Sequence, residues 1–192
     1  MAKSEVLQIP GVQKEQLTVT IEGITPLITN RFSDKSKKQM LDKQMKRPTG
    51  KKEAKDPEAD YLGSIYRTED GRPGYPASGI KQACVSACRY VDDVPMTIAR
   101  GAFFIMGKIL PVDGEHEMGE DIVRLGGKTA DIRYRAYYPK WSITFDVLYN
   151  PRIILPEGIV NLIEIAGFHV GIGDWRPEKN GTNGMFQVKR EE

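Results

Sequence analysis

The chain has 192 residues, ordinary apolar content and a formal net charge of only +2, which is typical of a globular domain of ordinary size. Its apolar runs are too short to span a bilayer, and residues 1–5 carry no apolar signal region. Two cysteines (Cys84, Cys88) and two distant histidines (His116, His169) do not have the spacing of a zinc site. The sequence therefore predicts a cytoplasmic protein without metal or cofactor, whose cysteines are small core residues.

The spacing of apolar residues predicts six elements along the chain. They are a strand over residues 16–22 that continues past a bend to 29, a helix from 78 to about 92, a buried strand over 99–110, a strand over 141–149, a helix from 156 that ends at Gly167, and a last strand over 185–189. This β-α-β-β-α-β order predicts an α+β, ferredoxin-like or RRM-like core. Residues 1–192 then form a single domain that carries two insertions, a basic arm over 31–73 and an inserted hairpin over 111–137.

The first predicted helix follows a turn at Gly74 and has the clearest helical spacing in the chain. The hydroxyl of Ser78 is placed to cap its first turn. Lys81 lies in that turn, where the helix dipole disfavours a cation. We therefore expect Lys81 either to be a solvated surface residue or to hold a phosphate beside the free N–H groups.

The basic arm concentrates the positive charge of the protein. Between Arg31 and Lys55 there are ten Lys or Arg and three acids, a local charge of +7, so the rest of the chain carries −5. Residues 33–46 are predicted to form a short helix, and Pro48, Gly50 and Pro57 predict loop beyond it. The arm is either a mobile, solubilising loop or a segment that tracks a phosphate backbone.

The inserted hairpin is acidic at first and then basic, with Tyr134, Tyr137 and Tyr138 between Arg124, Lys128, Arg133 and Arg135. Basic and aromatic residues together suit single-stranded nucleic acid. The alternative is a polar hairpin whose tyrosines cover the edge of the core.

A glycine-rich loop over residues 171–184 precedes the last strand and contains Trp175, Arg176 and Lys179. It follows a helix, so it is neither a dinucleotide fingerprint nor a P-loop. Its glycines allow close backbone approach. The loop either holds a nucleic-acid strand, lies against the first helix, or is a plain turn.

Three stretches resemble one family. They are Thr-Pro-Leu-Ile at 25–28, Tyr-Pro-Ala-Ser-Gly-Ile-Lys-Gln-Ala at 75–83, and the glycine-rich loop with its strand. Together they resemble the RAMP superfamily, the RRM-like subunits of CRISPR effector complexes, and most of all the subunits that polymerise along a guide RNA. Gly79 and Gln82 depart from the usual Ser and Gly, and Asp174-Trp175 stands where a basic pair is common.

The resemblance implies a non-catalytic subunit of antiviral defence that binds single-stranded RNA or DNA without sequence preference and assembles head to tail with copies of itself. A stand-alone relative from a phage or mobile element is an alternative. Further alternatives are an endoribonuclease, with Asp34 as the candidate catalytic residue, and a protein-binding mimic of a CRISPR subunit. The predicted nucleic-acid-binding residues are Arg31, Lys35, Lys37, Lys38, Lys43, Lys46, Arg47, Ser78, Lys81, Arg133, Arg135, Tyr137, Trp175, Arg176 and Lys179.

The polar sides of the two amphipathic strands add one expectation. They carry Thr18, Thr20, Ser142, Thr144 and Asp146 and no aromatic residue, whereas an ordinary RRM stacks bases on aromatic residues of its sheet. Binding is therefore expected to use loops and helix ends rather than the sheet face.

Overall fold

The computed structural model describes residues 8–47, 54–125 and 129–190. The strands are β1 (Glu15–Gly23), β2 (Leu27–Thr29), β3 (Tyr66–Arg67), β4 (Pro73–Pro76), β5 (Phe103–Ile105), β6 (Ile109–Pro111), β7 (Glu117–Leu125), β8 (Thr129–Tyr138), β9 (Ser142–Tyr149) and β10 (Phe186–Val188). The helices are α1 (Asp34–Gln44), α2 (Pro57–Gly63), α3 (Ala77–Ala87), α4 (Met96–Ala102) and α5 (Pro156–His169), with short 3₁₀ turns at Cys88–Tyr90 and Pro177–Lys179.

The central sheet is antiparallel, with strand order β10-β1-β9-β5. Helix α3 lies between β1 and β5 in the chain, and α5 lies between β9 and β10. This is the split βαβ arrangement of a ferredoxin-like fold, so the predicted fold class is confirmed.

The core lies between the sheet and these two helices. The pairing of β1 with β9 sets Val19 opposite Phe145 and Ile21 opposite Ile143, and all four side chains are buried. Ile80 of α3 and Ile163 of α5 are fully buried in the same cluster, as are other members of both helical stripes. Each such side chain contributes about 1.5–3 kcal/mol by leaving water.

The other face of the sheet is polar, as the alternation predicts. The Thr18 hydroxyl donates to Asp146 at 2.6 Å, and the hydroxyls of Thr20 and Thr144 lie 2.9 Å apart. Phe104 of β5 pairs with Leu148 on this face and is 52% exposed. The edge strand β5 therefore adds an aromatic ring to a sheet face on which β1 and β9 present no aromatic side chain.

The prediction that strand one simply continues past its bend is wrong. The residues of the bend bond to the end of the glycine-rich loop, with Ile24 N donating to Met185 O at 2.9 Å and Gly184 N donating to Pro26 O at 2.7 Å. The chain then enters a different sheet, of order β2-β8-β7. The bend thus joins two sheets, and it brings the glycine-rich loop against the start of β2.

The predicted buried strand over 99–110 is also wrong. The segment forms the end of α4, then β5 at the edge of the central sheet, and then β6 in a third sheet of order β3-β4-β6. Gly107 separates the two strands with φ of 97°. A short apolar run suits a buried strand and a buried helix segment equally well, and here it contains parts of both.

Two predicted helix ends need correction. Helix α3 begins at Ala77, and its N-cap is Pro76, so the Ser78 hydroxyl does not cap it. Gly167 does not end α5, which runs to His169. A Cβ on Gly167 would lie 1.9 Å from Phe186 O, so this glycine lets α5 pack directly on the backbone of β10.

The two insertions contain regular structure. Helix α1 lies within the predicted 33–46, whereas α2 was not predicted. The Asp56 side chain caps α2 by accepting from Ala59 N at 3.1 Å, and Pro57 stands in its first turn. Within 111–137, β7 pairs with β8 from Glu117 to Leu125. In the described ranges, no helix is long and apolar enough to cross a membrane.

Candidate nucleic-acid interface

The glycine-rich loop is fixed by backbone contacts along its length. Gly173 N donates to the Tyr75 hydroxyl at 2.9 Å, and Asp174 N donates to Ile28 O at 3.0 Å. Burial raises the pKa of Tyr75 to about 12, so this hydroxyl stays protonated. The loop thus connects β2 with the residues before α3, and it is more than a plain turn.

Two of the loop's glycines are required by close approach. A Cβ on Gly184, which has φ of 68°, would lie 1.7 Å from Ile172 O. A Cβ on Gly181 would lie 1.7 Å from Trp175 O. Any larger residue would push the two neighbouring backbone segments of the loop apart. The glycines therefore define the path of the loop.

Trp175 is held in an uncommon backbone conformation. Its φ is 55°, which costs a bulky residue roughly 1–3 kcal/mol. Asn183 N donates to Trp175 O at 2.9 Å and helps to keep the loop in this shape. The indole is nevertheless 44% exposed. Neither burial of the side chain nor a low-energy backbone conformation therefore explains why tryptophan stands here.

A cavity of about 280 Å³ lies beside this indole. It lies between the loop and the inserted hairpin, and it is lined by Val123, Arg135, Asp174, Trp175, Arg176 and Lys179. Lys179 is exposed. An aromatic ring and a cation at one opening suit a base with its phosphate.

Arg135 does not have the position expected of a phosphate ligand. Its side chain is 5% exposed and pairs with Asp121 at 2.7 Å and with Asp174. Because both acidic partners occupy the guanidinium, Arg135 connects the inserted hairpin to the glycine-rich loop. Its predicted direct contact with nucleic acid is not supported by this geometry.

Arg176 makes part of its hydrogen bonds within the loop itself. It donates to Gly173 O at 3.1 Å and pairs with Glu178 at 2.9 Å. Burial raises the pKa of Glu178, but the hydrogen bond and charge of Arg176, with smaller contributions from Ser86 and Lys179, outweigh it and leave this pKa below its ordinary value. Glu178 therefore stays ionised and holds Arg176 at the cavity.

Lys81 also differs from the expectation. Its ammonium donates to Ala99 O at 2.7 Å and to Phe103 O at 2.6 Å, and it lies 3.4 Å from the centroid of the Phe103 ring. Because burial removes water from the ammonium, the pKa of Lys81 falls to about 8. Lys81 thus contacts the end of α4, and Ser78 lies exposed inside α3.

The basic arm presents its cations to solvent. Lys37, Lys38, Lys43 and Lys46 are exposed, and Arg47 pairs with Asp42 at 3.5 Å. Arg31 is half-buried at the end of β2. Asp34 begins α1 and Lys35 follows it, but their side chains fall outside the part of the chain that the structure describes.

The remaining predicted residues lie on β8. Arg133 pairs with Asp131 at 3.0 Å and keeps 43% of its side chain exposed. Tyr137 is half-buried and lines a second cavity of about 200 Å³ together with Glu117, Glu120 and Asp121. That cavity is acidic, and it adjoins the opening beside Trp175 because Arg135 lines both.

Lys55 connects two segments of the chain, although no local sequence feature marks it as a site residue. Its ammonium lies 2.8 Å from the Asp131 carboxylate and 5.9 Å from the centroid of the Tyr134 ring. It therefore connects the far end of the basic arm to β8. Its place inside a run of lysines gave no signal, because its partners are 76 and 79 residues later in the chain.

His116 is held by packing. The Tyr61 hydroxyl lies 2.6 Å from its Nδ1, and the rings of Tyr61 and Tyr138 meet it edge to face. Burial, with the nearby charge of Arg67, lowers the pKa of His116, whereas burial raises the pKa of Tyr61. At neutral pH, a protonated Tyr61 hydroxyl and a neutral imidazole therefore share this hydrogen bond.

Comparisons with known proteins concern this fold. No family model and no curated protein matches the sequence. One chain of the cryo-EM structure of the Type III-B Cmr-beta bound to cognate target RNA is similar, with a TM-score of 0.51 and 13% identity over 93% of this chain and 60% of that chain. The two chains share a fold. This agrees with the ferredoxin-like fold that the order of the elements predicts.

Two further structures are similar at lower scores. The crystal structure of Cmr6 from Pyrococcus furiosus has a TM-score of 0.45 and 13% identity over 93% of this chain and 100% of that chain. A Cas6 product complex has a TM-score of 0.34 and 8% identity over 90% of this chain and 51% of that chain. At such identities, the likeness concerns the fold alone.

Proposed function

We propose that the protein binds single-stranded nucleic acid without sequence preference, as a non-catalytic RAMP-like subunit that assembles with copies of itself. The observation that carries this proposal is Trp175. Its indole is 44% exposed, on a backbone of φ 55°, beside a cavity lined by Arg176 and Lys179. Strain at an exposed aromatic residue is typical of a functional position.

The chemistry of this opening explains why binding is expected to be independent of the nucleotide sequence of the ligand. Every base has a π face, so stacking on an indole discriminates little among bases and contributes about 1–3 kcal/mol per base. The exposed ammonium of Lys179 pairs with a phosphate, which carries no sequence information. Arg176, which Glu178 holds in place, supplies a second positive charge at the cavity.

The basic arm adds a longer-range electrostatic contribution to the affinity for nucleic acid. Its exposed lysines lie on α1 and just after it, and their charges attract a phosphate backbone. With about five phosphate contacts in all, the log–log slope of affinity against salt is about −3.5 for a single strand. RNA is the first ligand to test, since the structure that shares this fold at the higher score is an RNA-bound complex.

Intrinsic fluorescence tests the proposal directly, because the two tryptophans differ in environment. Trp141 is 4% exposed and donates to Thr25 O at 2.9 Å, whereas Trp175 faces solvent. Titration with oligouridylate at low salt is expected to quench the exposed indole and leave the buried one unchanged. Trp175→Phe should keep the affinity and lose the quenching.

Other outcomes of these binding experiments would contradict the proposal or replace it. Absence of binding to any RNA or DNA single strand at low salt would contradict the proposal. If the protein then co-purified with other CRISPR subunits and no nucleic acid, the protein-binding alternative would replace it. Self-assembly is tested separately, by sedimentation of the protein with and without a long single strand.

A further inference from the structure

Three aromatic rings form a cluster on the surface, away from the core. The rings of Tyr90 and His169 stack with centroids 4.3 Å apart at 13°, and Phe168 meets His169 edge to face at 4.9 Å. Tyr90 is 53% exposed and Phe168 is 60% exposed. We call Tyr90, Phe168 and His169 the aromatic platform. Apolar area so exposed on a folded protein commonly marks a binding surface.

The platform is connected to the glycine-rich loop through charged groups. Arg89, which precedes Tyr90, lies 3.6 Å from Glu178 and keeps 57% of its side chain exposed. Glu178 also holds Arg176, and Lys179 follows it in the chain. Arg89 beside the platform and Arg176 beside Trp175 thus pair with the same carboxylate, which places the platform next to the glycine-rich loop.

We propose that the aromatic platform is a second stacking site for the same single strand, which passes from Trp175 along Lys179 and Arg89 to Tyr90. This inference rests on the proposed function and extends it. The strand's phosphates pair with the two cations, and a later base stacks on the exposed face of Tyr90. His169, which stacks on Tyr90, keeps that ring in place.

The negative charge near the platform determines which part of a nucleotide the platform binds. Asp92 and Asp93 are exposed and follow Tyr90 within three residues, so they repel phosphates beyond the ring. The platform therefore binds a base by stacking rather than by ion pairing. Loss of Tyr90 should weaken binding without changing its salt dependence, because no phosphate contact is lost.

Two lengths of labelled oligouridylate provide the test, one of about 5 and one of about 15 nucleotides. The short one is expected to occupy the opening at Trp175 only, and the long one both sites. Tyr90→Ala should weaken binding of the long strand about 5- to 20-fold, leave the short strand unchanged and keep the salt slope. Tyr90→Phe should behave as the wild type.

Control variants separate stacking from general effects. Ile153→Ala removes another apolar side chain of 51% exposure and should change neither affinity. Phe168→Ala should follow Tyr90→Ala more weakly, since Phe168 contacts His169 with its edge. Equal weakening of both strands by Tyr90→Ala, or none, would overturn the platform while Trp175 binding stands. Wild-type protein that binds neither strand would overturn the proposed function itself.

Discussion

Arg135 of β8 and Asp174 of the glycine-rich loop form an ion pair that joins two segments 39 residues apart in the chain. The same guanidinium reaches Asp121 of β7 at 2.7 Å. One nearly buried cation therefore aligns the inserted hairpin with the loop, and it fixes the width of the cavity beside Trp175.

Replacement of this cation should destabilise the protein. Arg135→Met leaves two carboxylates, each about one-third exposed, facing each other without a counter-charge. We expect the free energy of unfolding to fall by about 2–3 kcal/mol. Urea denaturation measures it. Arg133→Met is the matched control, because its pair with Asp131 is solvent-exposed and should cost less than about 1 kcal/mol. Similar losses in both variants would contradict the role of Arg135.

A second prediction concerns the close approach at Gly184. Gly184→Ala places a methyl group on a backbone of positive φ and against Ile172 O, so we expect a loss of more than about 2 kcal/mol. Gly101→Ala is the control, because nothing lies within 4 Å of a Cβ at this position in α4. It should stabilise the protein by about 0.5–1 kcal/mol. Thermal unfolding of the two variants gives opposite shifts if the loop has this path.

Trp175→Gly should separate stability from binding. Glycine tolerates the φ of 55° without strain, and this gain offsets the lost packing of the indole, so stability should change by less than about 1 kcal/mol. Affinity for oligouridylate should fall about 5-fold or more. Phe104→Ala removes the exposed ring of the sheet face and should leave affinity unchanged. A reversed pattern, with loss in Phe104→Ala alone, would assign binding to the sheet.

The salt dependence of binding tests the basic arm. Substitution of Lys38, Lys43 and Lys46 by Gln should reduce the slope by about 2, at about 0.7 per phosphate contact. The same substitution at three exposed lysines elsewhere, Lys14, Lys140 and Lys189, changes the net charge equally. Binding titrations at several salt concentrations distinguish the two sets. Equal slopes would mean that only net charge matters.

Lys81 predicts a pH dependence of stability. Its pKa is about 8 when folded and 10.5 ordinarily, so between these values the unfolded chain binds more protons, and rising pH favours the folded state. Wild type should therefore gain stability relative to Lys81→Met from pH 8 to pH 10.5. A constant difference across this range would contradict the lowered pKa.

Most of the core could be predicted from the sequence. Strands β1 and β9 and helices α3 and α5 each bury one side, so their apolar residues recur with the period of the element itself. That signal is local, and it gave both the elements and their ferredoxin-like order. Helix α2 also had a local signal in Asp56 and Pro57 that the charge of the arm obscured. The run over 99–110 had none, since short apolar runs are ambiguous.

The tertiary structure decides which partners the charged side chains reach. Arg135 and Lys81 have the same sequence features as a solvated cation, yet their partners lie 14 to 39 residues away. Periodicity carries no information about which distant acceptor a long side chain reaches. The sequence by itself determined the core and the basic character of the arm, because these depend on local spacing and composition. Only the folded chain decided that Trp175 and Lys179 face the opening while Arg135 and Lys81 turn inward.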